Sequence, residues 1–303
     1  MKPAKTELDI EGHKIPVSNL SKVLYPEAGF TKGDVIAYYR DIAPVLLPHL
    51  KDRALTMKRY PDGVGKFFFY EKNCPTYRPK WVRTAPVYSH GRGAIMHYCL
   101  ANNLASLVWM ANLADLELHT SLARKNNVER PTMMVFDLDP GEGADIIQCC
   151  QVGFWLREKF RALKLESFPK TSGSKGLQIY VPLNTPAKFE QTKALARQLG
   201  DAIVADHPDA AVTKMLKTLR KNKVLIDWSQ NDAYKTTVCV YSLRATPKPQ
   251  VSTPLTWPEV EKLWKRGDPD AFRFSPDDVL GRVKKHGDLF EPVLTLKQKL
   301  PSK

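Results

Sequence analysis

Residues 132–143, TMMVFDLDPGEG, contain the stretch that decides the fold. The apolar run at its start predicts a buried strand, and the DPG that follows predicts the turn that ends the strand. Because side chains alternate along a strand, Asp137 and Asp139 share one face, with Cα atoms about 6–7 Å apart, while Leu138 points to the other face. Two carboxylates held this close repel each other, so a shared cation is the natural reason for both to stay ionised.

A third acid, Asp227, ends a second apolar strand that begins at Val224. A lone acid at the end of a core strand needs a partner, and a metal shared with Asp137 and Asp139 would supply one. Three carboxylates from neighbouring strands suit Mg²⁺ or Mn²⁺. Such sites commonly hold two ions about 3.5–4 Å apart for phosphoryl transfer. For the DPG segment by itself, an ordinary strand-ending turn remains an alternative.

A second motif, SGSKG, occupies residues 172–176 ahead of the predicted strand GLQIYVPL. Glycine backbone N–H groups, hydroxyls and a lysine give it the composition of a phosphate cradle, although it lacks the spacing of a Walker loop. A Ser/Gly turn is the alternative interpretation. The spacing of basic residues over 213–221 predicts a helix with one basic face, which is either solvated or directed at a triphosphate. The candidate nucleotide contacts drawn from these and neighbouring segments are His119, Ser172, Gly173, Ser174, Lys175, Gln178, Arg220 and Arg244.

Aromatic and basic residues earlier in the chain suggest contacts with nucleic acid. In the run Phe67–Tyr70, strand geometry turns two of the four rings away from the core, where rings can stack on bases. A strand buried on both faces is the alternative. Lys22 and Lys32 bracket a turn and can hold a phosphate, although exposed lysines are mostly generic. The candidate DNA contacts are Lys22, Lys32, Lys58, Arg59, Phe68, Phe69 and Tyr70.

The composition excludes several protein classes. The chain has 303 residues with 46 Lys and Arg against 32 Asp and Glu, a net charge of +14 that attracts polyanions such as nucleic acid. A role of this charge in solubility alone remains the alternative. Hydrophobic residues make up 43%, which excludes disorder as the overall state. No apolar run approaches the length of a membrane span, and the N-terminal residues contain no signal-peptide core, so we expect a cytosolic protein without a membrane partner.

The five cysteines are odd in number, include an adjacent pair and show no C-x-x-C spacing. We therefore expect reduced, mostly buried thiols. Strands and helices interleave without strict alternation, which predicts an α+β fold with mixed sheets. We expect one domain over 1–303, divided into a DNA-contacting part, 1–120, and a part that binds metal and nucleotide, 121–303. The predicted helices include one that starts at a capping box on Thr31, is limited by Pro44 and Pro48, and precedes a hairpin over 52–70; others cover 98–114, 145–163 and 187–205.

In this order the motifs resemble the polymerase domain of bacterial ATP-dependent DNA ligase D, a member of the archaeo-eukaryotic primase superfamily. The matching segments are SKVLYPEAGFTK, VFDLDPGEG, TSGSKGLQIYVPL, KVLIDWSQN and KTTVCVYSLRATP. The resemblance spans nearly the whole chain. It implies a primase-like catalytic core with a central sheet like that of RNA-recognition motifs, flanked by helices.

The resemblance also implies roles for individual residues. Two Mn²⁺ or Mg²⁺ ions would be bound by Asp137, Asp139 and Asp227, and the nucleotide by His119, Ser172, Lys175 and Arg244. Lys22 and Lys32 would receive the 5′-phosphate at a DNA break, and Phe69 and Tyr70 would stack on the template. One position departs from the superfamily pattern, because Gln178 stands where a histidine is usual. A glutamine can hydrogen-bond a phosphate but cannot offer an ionised imidazole.

The implied function is template-dependent nucleotidyl transfer from NTPs or dNTPs, with a preference for ribonucleotides, at gaps and double-strand breaks in bacterial end joining. The implied partners are broken DNA, covalently linked ligase and phosphoesterase domains, and a Ku-type end-binding protein, in a cytoplasm where DNA places the protein at the nucleoid. Two alternatives remain at this point. One is a two-metal nuclease or phosphodiesterase, and the other is a DNA-end-binding module without catalysis.

Overall fold

The computed structural model describes residues 6–89 and 92–301. The helices are α1 (Lys32–Leu50), α2 (Leu104–Asn112), α3 (Ile146–Ala162), α4 (Phe189–Asp206), α5 (Trp257–Arg266), α6 (Pro276–His286) and α7 (Pro292–Thr295). The strands are β1 (Thr6–Ile10), β2 (His13–Val17), β3 (Val23–Tyr25), β4 (Phe30–Thr31), β5 (Leu55–Arg59), β6 (Phe69–Glu71), β7 (Thr84–Ser89), β8 (Ala94–Cys99), β9 (Asp115–Thr120), β10 (Met133–Pro140), β11 (Phe168–Thr171), β12 (Leu177–Pro182), β13 (Ala211–Val212), β14 (Val224–Asp227), β15 (Thr237–Val238), β16 (Leu243–Arg244) and β17 (Gln250–Val251).

The sheet that contains the two-aspartate strand has the order β11-β12-β10-β14-β13. Its central strand, β10, pairs antiparallel with both β12 and β14. Without β13, the chain order is strand, helix, strand, strand, helix, strand, which is the order of an RNA-recognition motif. The structure thus confirms the α+β class and the mixed central sheet expected from the sequence.

The two faces of β10 pack against different hydrophobic cores. Met134, Phe136 and Leu138 belong to a hydrophobic core formed with α3 and α4. Val135 faces the larger core on the opposite side, and Asp137 follows it on that side. The predicted alternation is therefore correct, and it leaves the acids on the face that the helices do not cover.

A second sheet has the order β15-β9-β5-β8-β7, with β6 paired to β5. Its strands come from residues 55–120 and from Thr237–Val238, so the chain returns to this sheet after completing the first one. Helices α1 and α2 contribute to the core that covers the sheet. The subdivision at residue 120 stays a prediction.

Helix α1 begins as expected and ends later than expected. Thr31 and Asp34 form the capping box, with the Thr31 Oγ1 accepting from the Asp34 N–H at 3.2 Å. Pro44 and Pro48 do not end the helix, which continues to Leu50. Each proline removes one backbone hydrogen bond, and the buried face of the helix is held by packing instead. The predicted helix over 98–114 starts only at Leu104, because 94–99 forms β8.

The predicted basic helix over 213–221 is wrong. This stretch, all of it described, contains one 3₁₀ turn at Lys217–Leu219 and otherwise runs irregularly. Met215, Leu216 and Leu219 are exposed, so no apolar face is available to stabilise a helix by packing. A later stretch with a strand-like sequence, 236–243, which predicts one strand, instead contributes to two short strands, β15 and β16.

The prediction of reduced cysteines is wrong for two of the five. Cys74 and Cys99 form a disulfide, with Cα atoms 5.0 Å apart. The geometry arises because the Cys74 N–H donates to the His97 carbonyl at 2.6 Å, which holds the loop after β6 against β8. Cys149, Cys150 and Cys239 are free and buried, as expected. No helix in the described ranges is both long and apolar enough to cross a bilayer.

Candidate functional site

A pocket of about 620 Å³ lies where the acids of β10 meet the second sheet. Asp137 and Asp139 line it on one side, and Tyr70 lines it from the aromatic run. The predicted nucleotide contacts that also line it are His119, Ser172, Ser174, Lys175, Gln178, Arg220 and Arg244. The structure thus brings together residues from separate segments that the sequence assigned to one site.

One row of polar residues crosses the β10 sheet on the pocket face. Lys170, Gln178, Asp137 and Asp227 stand directly opposite one another on four adjacent strands, β11, β12, β10 and β14. Residues opposite each other on neighbouring strands have Cβ atoms about 4.5–5.5 Å apart, so each side chain in the row meets the next. The row has a cation at one end and two acids at the other.

Burial and mutual repulsion disfavour the ionised forms of Asp137 and Asp139. The pKa of the Asp137 carboxyl is raised to about 7, by burial first and then by the charge of Asp139, while the Gln178 amide opposes the shift. The pKa of Asp139 is also raised, by burial and by the charge of Asp227. Among the residues that the structure describes, none forms a hydrogen bond with the buried Oδ1 atom of Asp137. A divalent cation would satisfy this oxygen and relieve the repulsion, so the carboxylate set fits Mg²⁺ or Mn²⁺.

Asp227 is not among the residues that line the pocket, and its carboxylate is engaged within its own segment. Its carboxylate accepts hydrogen bonds from the Ser229 N–H at 2.8 Å and from the Gln230 side-chain amide at 2.9 Å. Within residues 6–89 and 92–301, no three His, Cys, Asp or Glu side chains are close enough to hold an ion together. The convergence of three carboxylates is therefore absent here, and the metal-binding role of Asp227 stays a prediction.

The SGSKG loop is folded around the Ser172 hydroxyl. This oxygen accepts from the backbone N–H groups of Ser174, at 3.3 Å, and Gly176, at 3.1 Å. Those two N–H groups, which the sequence assigned to an anion, are thus bonded within the loop. A Cβ at Gly176 would collide with the Leu138 carbonyl of β10, so close approach of the loop to the acid strand requires glycine there. The exposed side chain of Lys175 remains directed at the pocket.

Glu117 is the site residue that our sequence reasoning missed. It is 2% exposed, and its Oε2 lies 2.9 Å from His119 Nε2 and 3.4 Å from Arg244 Nε. Its Oε1 accepts from Lys58 Nζ at 3.2 Å. Burial alone would raise the pKa of Glu117, but the His119 hydrogen bond and the charge of Arg244 hold it well below its ordinary value. The alternation of Glu117 with His119 on one strand was the available signal.

Arg220 reaches the pocket from the irregular 213–221 segment. Its guanidinium donates to the Met215 carbonyl, and its charge lowers the pKa of Asp139 against the effect of burial. Gly141 of the DPG turn lies directly against the backbone of Arg220, so that a Cβ on Gly141 would collide with the Arg220 carbonyl. The DPG turn and the 213–221 segment are thus packed together, although the segment is not helical.

The aromatic run is exposed, as one of the two interpretations predicts. Phe68 and Tyr70 are 45% and 56% exposed, whereas Phe69 is half-buried. Lys58 Nζ lies 4.8 Å from the centre of the Phe68 ring and 5.6 Å from that of Tyr70. The Arg59 guanidinium lies 5.1 Å from the Phe69 ring and also pairs with a carboxylate of β6. These cations hold the ring platform in place next to the pocket.

Lys22 and Lys32 are brought together by the turn between β3 and β4. The Lys32 N–H donates to the Lys22 carbonyl at 2.8 Å. Lys22 Nζ pairs with Asp62 at 2.7 Å, and Lys32 Nζ donates to the Ser18 carbonyl at 2.8 Å. The pKa of Lys32 is lowered to about 8, by burial and then by the charge of Lys22. The two lysines are thus joined through the backbone and are close enough for the charge of Lys22 to act on Lys32. Their binding of a 5′-phosphate stays a prediction.

Residues 31–290 match the family model described as LigD, primase-polymerase domain. The chain belongs to this family. It is 39% identical over 282 residues to the multifunctional non-homologous end joining protein LigD of Mycolicibacterium smegmatis, covering 92% of this chain and 36% of that protein. It is 31% identical over 275 residues to the bifunctional protein LigD of Bacillus subtilis, covering 90% of this chain and 43% of that protein. The chain thus spans less than half the length of these LigD relatives.

A solved structure, the polymerase domain of Mycobacterium tuberculosis ligase D in complex with DNA, superposes with a TM-score of 0.85 at 36% identity. The match covers 93% of this chain and 98% of that one. The resemblance, the fold class and the enzyme class expected from the sequence, a nucleotidyltransferase of the LigD primase-polymerase type, are confirmed. The roles of individual site residues stay predictions.

Proposed function

We propose that this LigD-type domain adds nucleotides to the 3′-hydroxyl of a DNA primer, directed by the opposite strand, where a duplex is gapped or broken. One observation carries the proposal. The pocket places Asp137 and Asp139 opposite a set of donors and cations, His119, Lys175 and Arg244. Acids that bind metal and cations that bind phosphates are the two components that nucleotidyl transfer requires.

One group of site residues acts at the reacting atoms, and another binds the triphosphate. Two Mn²⁺ or Mg²⁺ ions held by Asp137 and Asp139, with Asp227 as the third candidate ligand, would activate the primer hydroxyl and neutralise the pyrophosphate. Lys175 and Arg244 bind and orient the triphosphate, which holds the α-phosphate in line with the hydroxyl. The attacking group belongs to the primer, so no side chain of the protein forms a covalent intermediate.

The proposed DNA contacts form two groups, the aromatic run with its two cations and the lysine pair. Phe68, Phe69 and Tyr70 stack on the template, with Lys58 and Arg59 beside them. Lys22 and Lys32 bind the 5′-phosphate on the far side of a gap. This arrangement favours a gapped duplex over a simple recessed end, since only the gap offers both contacts.

The wider function follows from the relatives, of which this chain matches only a part. In M. smegmatis and B. subtilis the LigD proteins are named for non-homologous end joining. We infer the same process for this domain, acting in a bacterial cytoplasm on double-strand breaks together with linked ligase and phosphoesterase domains and a Ku-type end-binding protein. We further infer a preference for ribonucleotides.

Extension of a labelled primer on a gapped duplex with a 5′-phosphate tests the proposal. The reaction is run with NTPs or dNTPs, with Mn²⁺ or Mg²⁺, and with D137N as the inactive control. Nucleotide-dependent lengthening supports the polymerase. Shortening of the primer would establish the nuclease alternative, and binding without either change would establish the end-binding module.

A further inference from the structure

Lys170 is a buried cation that the proposed chemistry does not use. Its side chain is 0% exposed, and it stands at one end of the polar row that includes Gln178 and Asp137. Its Nζ lies 2.5 Å from the Gln178 Oε1 and 2.7 Å from the Ser252 Oγ. No carboxylate in the described residues forms an ion pair with it. An ammonium group is costly to bury, so its place in the row requires an explanation.

The hydrogen-bonding capacity of lysine decides how Gln178 is oriented. An ammonium group has three donors and no acceptor, so its partner on Gln178 is the amide oxygen. The Ser252 hydroxyl donates to the Thr171 carbonyl at 2.9 Å, which leaves its oxygen to accept from Lys170. The NH₂ group of Gln178 therefore lies on the opposite side, where it donates to the Thr237 Oγ1 at 3.2 Å.

The two orientations of the amide are not equivalent at the pocket. Gln178 lines the pocket and faces Asp137 across the strand pair. With the NH₂ group on this side, a donor stands beside the carboxylate. In the flipped orientation the amide oxygen would face the carboxylate, and acceptor against acceptor is repulsive. A flipped amide would also repel an anionic phosphate oxygen.

We propose that Lys170 is a positioning residue, which holds the Gln178 amide with its NH₂ group toward the pocket so that it donates to a phosphate oxygen of the bound nucleotide. This inference rests on the proposed function for the identity of the ligand. Lys170 itself does not reach the pocket and acts through Gln178. The pair provides an N–H donor fixed toward the pocket, which Gln178 alone would not provide.

The test uses three variants and two measurements. K170M keeps the apolar stem and removes the donors, Q178L removes the amide, and the third variant combines both. K262M, which removes an exposed lysine of α5, is the control for the loss of one positive charge. The measurements are the Kd of a fluorescent ATP analogue in the presence of Mn²⁺, and the KM and kcat of primer extension.

K170M is expected to raise the nucleotide Kd and KM about tenfold, the effect of one hydrogen bond to a charged group, with kcat within about threefold of wild type. K262M is expected to match wild type. In the Q178L background, K170M is expected to cause no further increase. Unchanged nucleotide affinity in K170M, or increases that multiply in the double variant, would overturn the inference, because a merely structural role predicts independent effects.

Two further outcomes are distinguishable. If K170M does not fold, K170Q replaces it. Its amide can accept as well as donate and so no longer fixes Gln178, and the same increase in Kd is expected, while an unchanged Kd would overturn the inference. If the wild-type domain binds the nucleotide but extends no primer, the proposed polymerase fails, while the comparison of Kd values still decides the role of Lys170.

Discussion

Glu117 Oε2 lies 2.9 Å from His119 Nε2, and the same carboxylate also contacts Arg244 and Lys58. One buried acid therefore joins two predicted nucleotide contacts to the cation beneath the aromatic platform. Arg244 and Lys58 have long side chains, and holding each in one rotamer costs conformational entropy. The negative charge of Glu117 offsets this cost. Glu117 thus couples the nucleotide side of the pocket to the template side.

E117Q is expected to raise the nucleotide KM about tenfold, because the carboxylate that orients His119 and Arg244 loses its charge. It is also expected to lower the thermal midpoint, since three basic groups lose their buried partner. The matched control is E71Q, which removes a carboxylate paired with Arg59 at 2.7 Å on the same sheet. A nucleotide KM equal in both variants would contradict the coupling.

D137N and D139N are each expected to reduce primer extension at least a hundredfold while the Kd for gapped DNA stays within about twofold of wild type. The carboxylates line the pocket, and the proposed duplex contacts are other side chains, so binding of the duplex is not expected to depend on Asp137 or Asp139. Extension assays and fluorescence anisotropy measure the two effects. Removal of divalent ions with EDTA is expected to reproduce the loss, and extension that survives EDTA would remove the metal from the mechanism.

The double variant K22A/K32A is expected to weaken binding of a gap with a 5′-phosphate about five- to thirtyfold, the range for charge-assisted hydrogen bonds at a partly exposed site. Gaps that end in a 5′-hydroxyl, and recessed primers without a downstream strand, are expected to behave as in wild type. Equal losses on all three substrates would instead make the lysines general DNA contacts. The comparison needs only three duplexes and one titration each.

F68A is expected to weaken binding of a primer–template about tenfold, because stacking of a base on an aromatic ring contributes about 1–3 kcal/mol. F68W keeps the π face and is expected to bind as wild type does, whereas F68L keeps apolar area without it and is expected to resemble F68A. Equal affinity of F68L and F68W would show that the ring contributes only through packing on Lys58.

The disulfide gives a prediction about stability. C74S/C99S, or reduction of the wild type, is expected to lower the free energy of unfolding by about 2–4 kcal/mol, because the bridge closes a loop between residues 25 apart. Denaturant titration measures the difference. Primer extension at low temperature is expected to be unchanged, since neither cysteine lines the pocket. An identical midpoint with and without reductant would show that the bridge does not form in solution.

The parts of this fold that the sequence predicted are those governed by short-range rules. Alternation placed Asp137 and Asp139 on one face, and a Thr31–Asp34 capping box marked the start of α1. These features depend on residues next to each other in the chain, so their signal is local. For the aromatic run, the sequence left exposure and burial on both faces open, and the structure exposes three of its four rings.

The features that were missed depend on tertiary contacts. Spacing alone suggested a helix around Lys217, but without an apolar face to bury, the segment stays irregular. The bridge between Cys74 and Cys99 forms because the loop after β6 lies against β8. The contact of Lys170 with Gln178 likewise depends on the pairing of β11 with β12, which cannot be predicted from the residue types alone.

The place of β10 in its sheet has a consequence for synthesis of the chain. It is the first strand of that sheet to leave the ribosome, yet both of its neighbours, β12 and β14, follow it by about 40 and 90 residues. Pairing of strands that are so far apart in the sequence requires closing a long loop, which slows folding. The acids of β10 therefore lack part of their strand pairing until Asp227 has emerged, so a polypeptide terminated before Asp227 carries the DPG motif but no complete sheet around it.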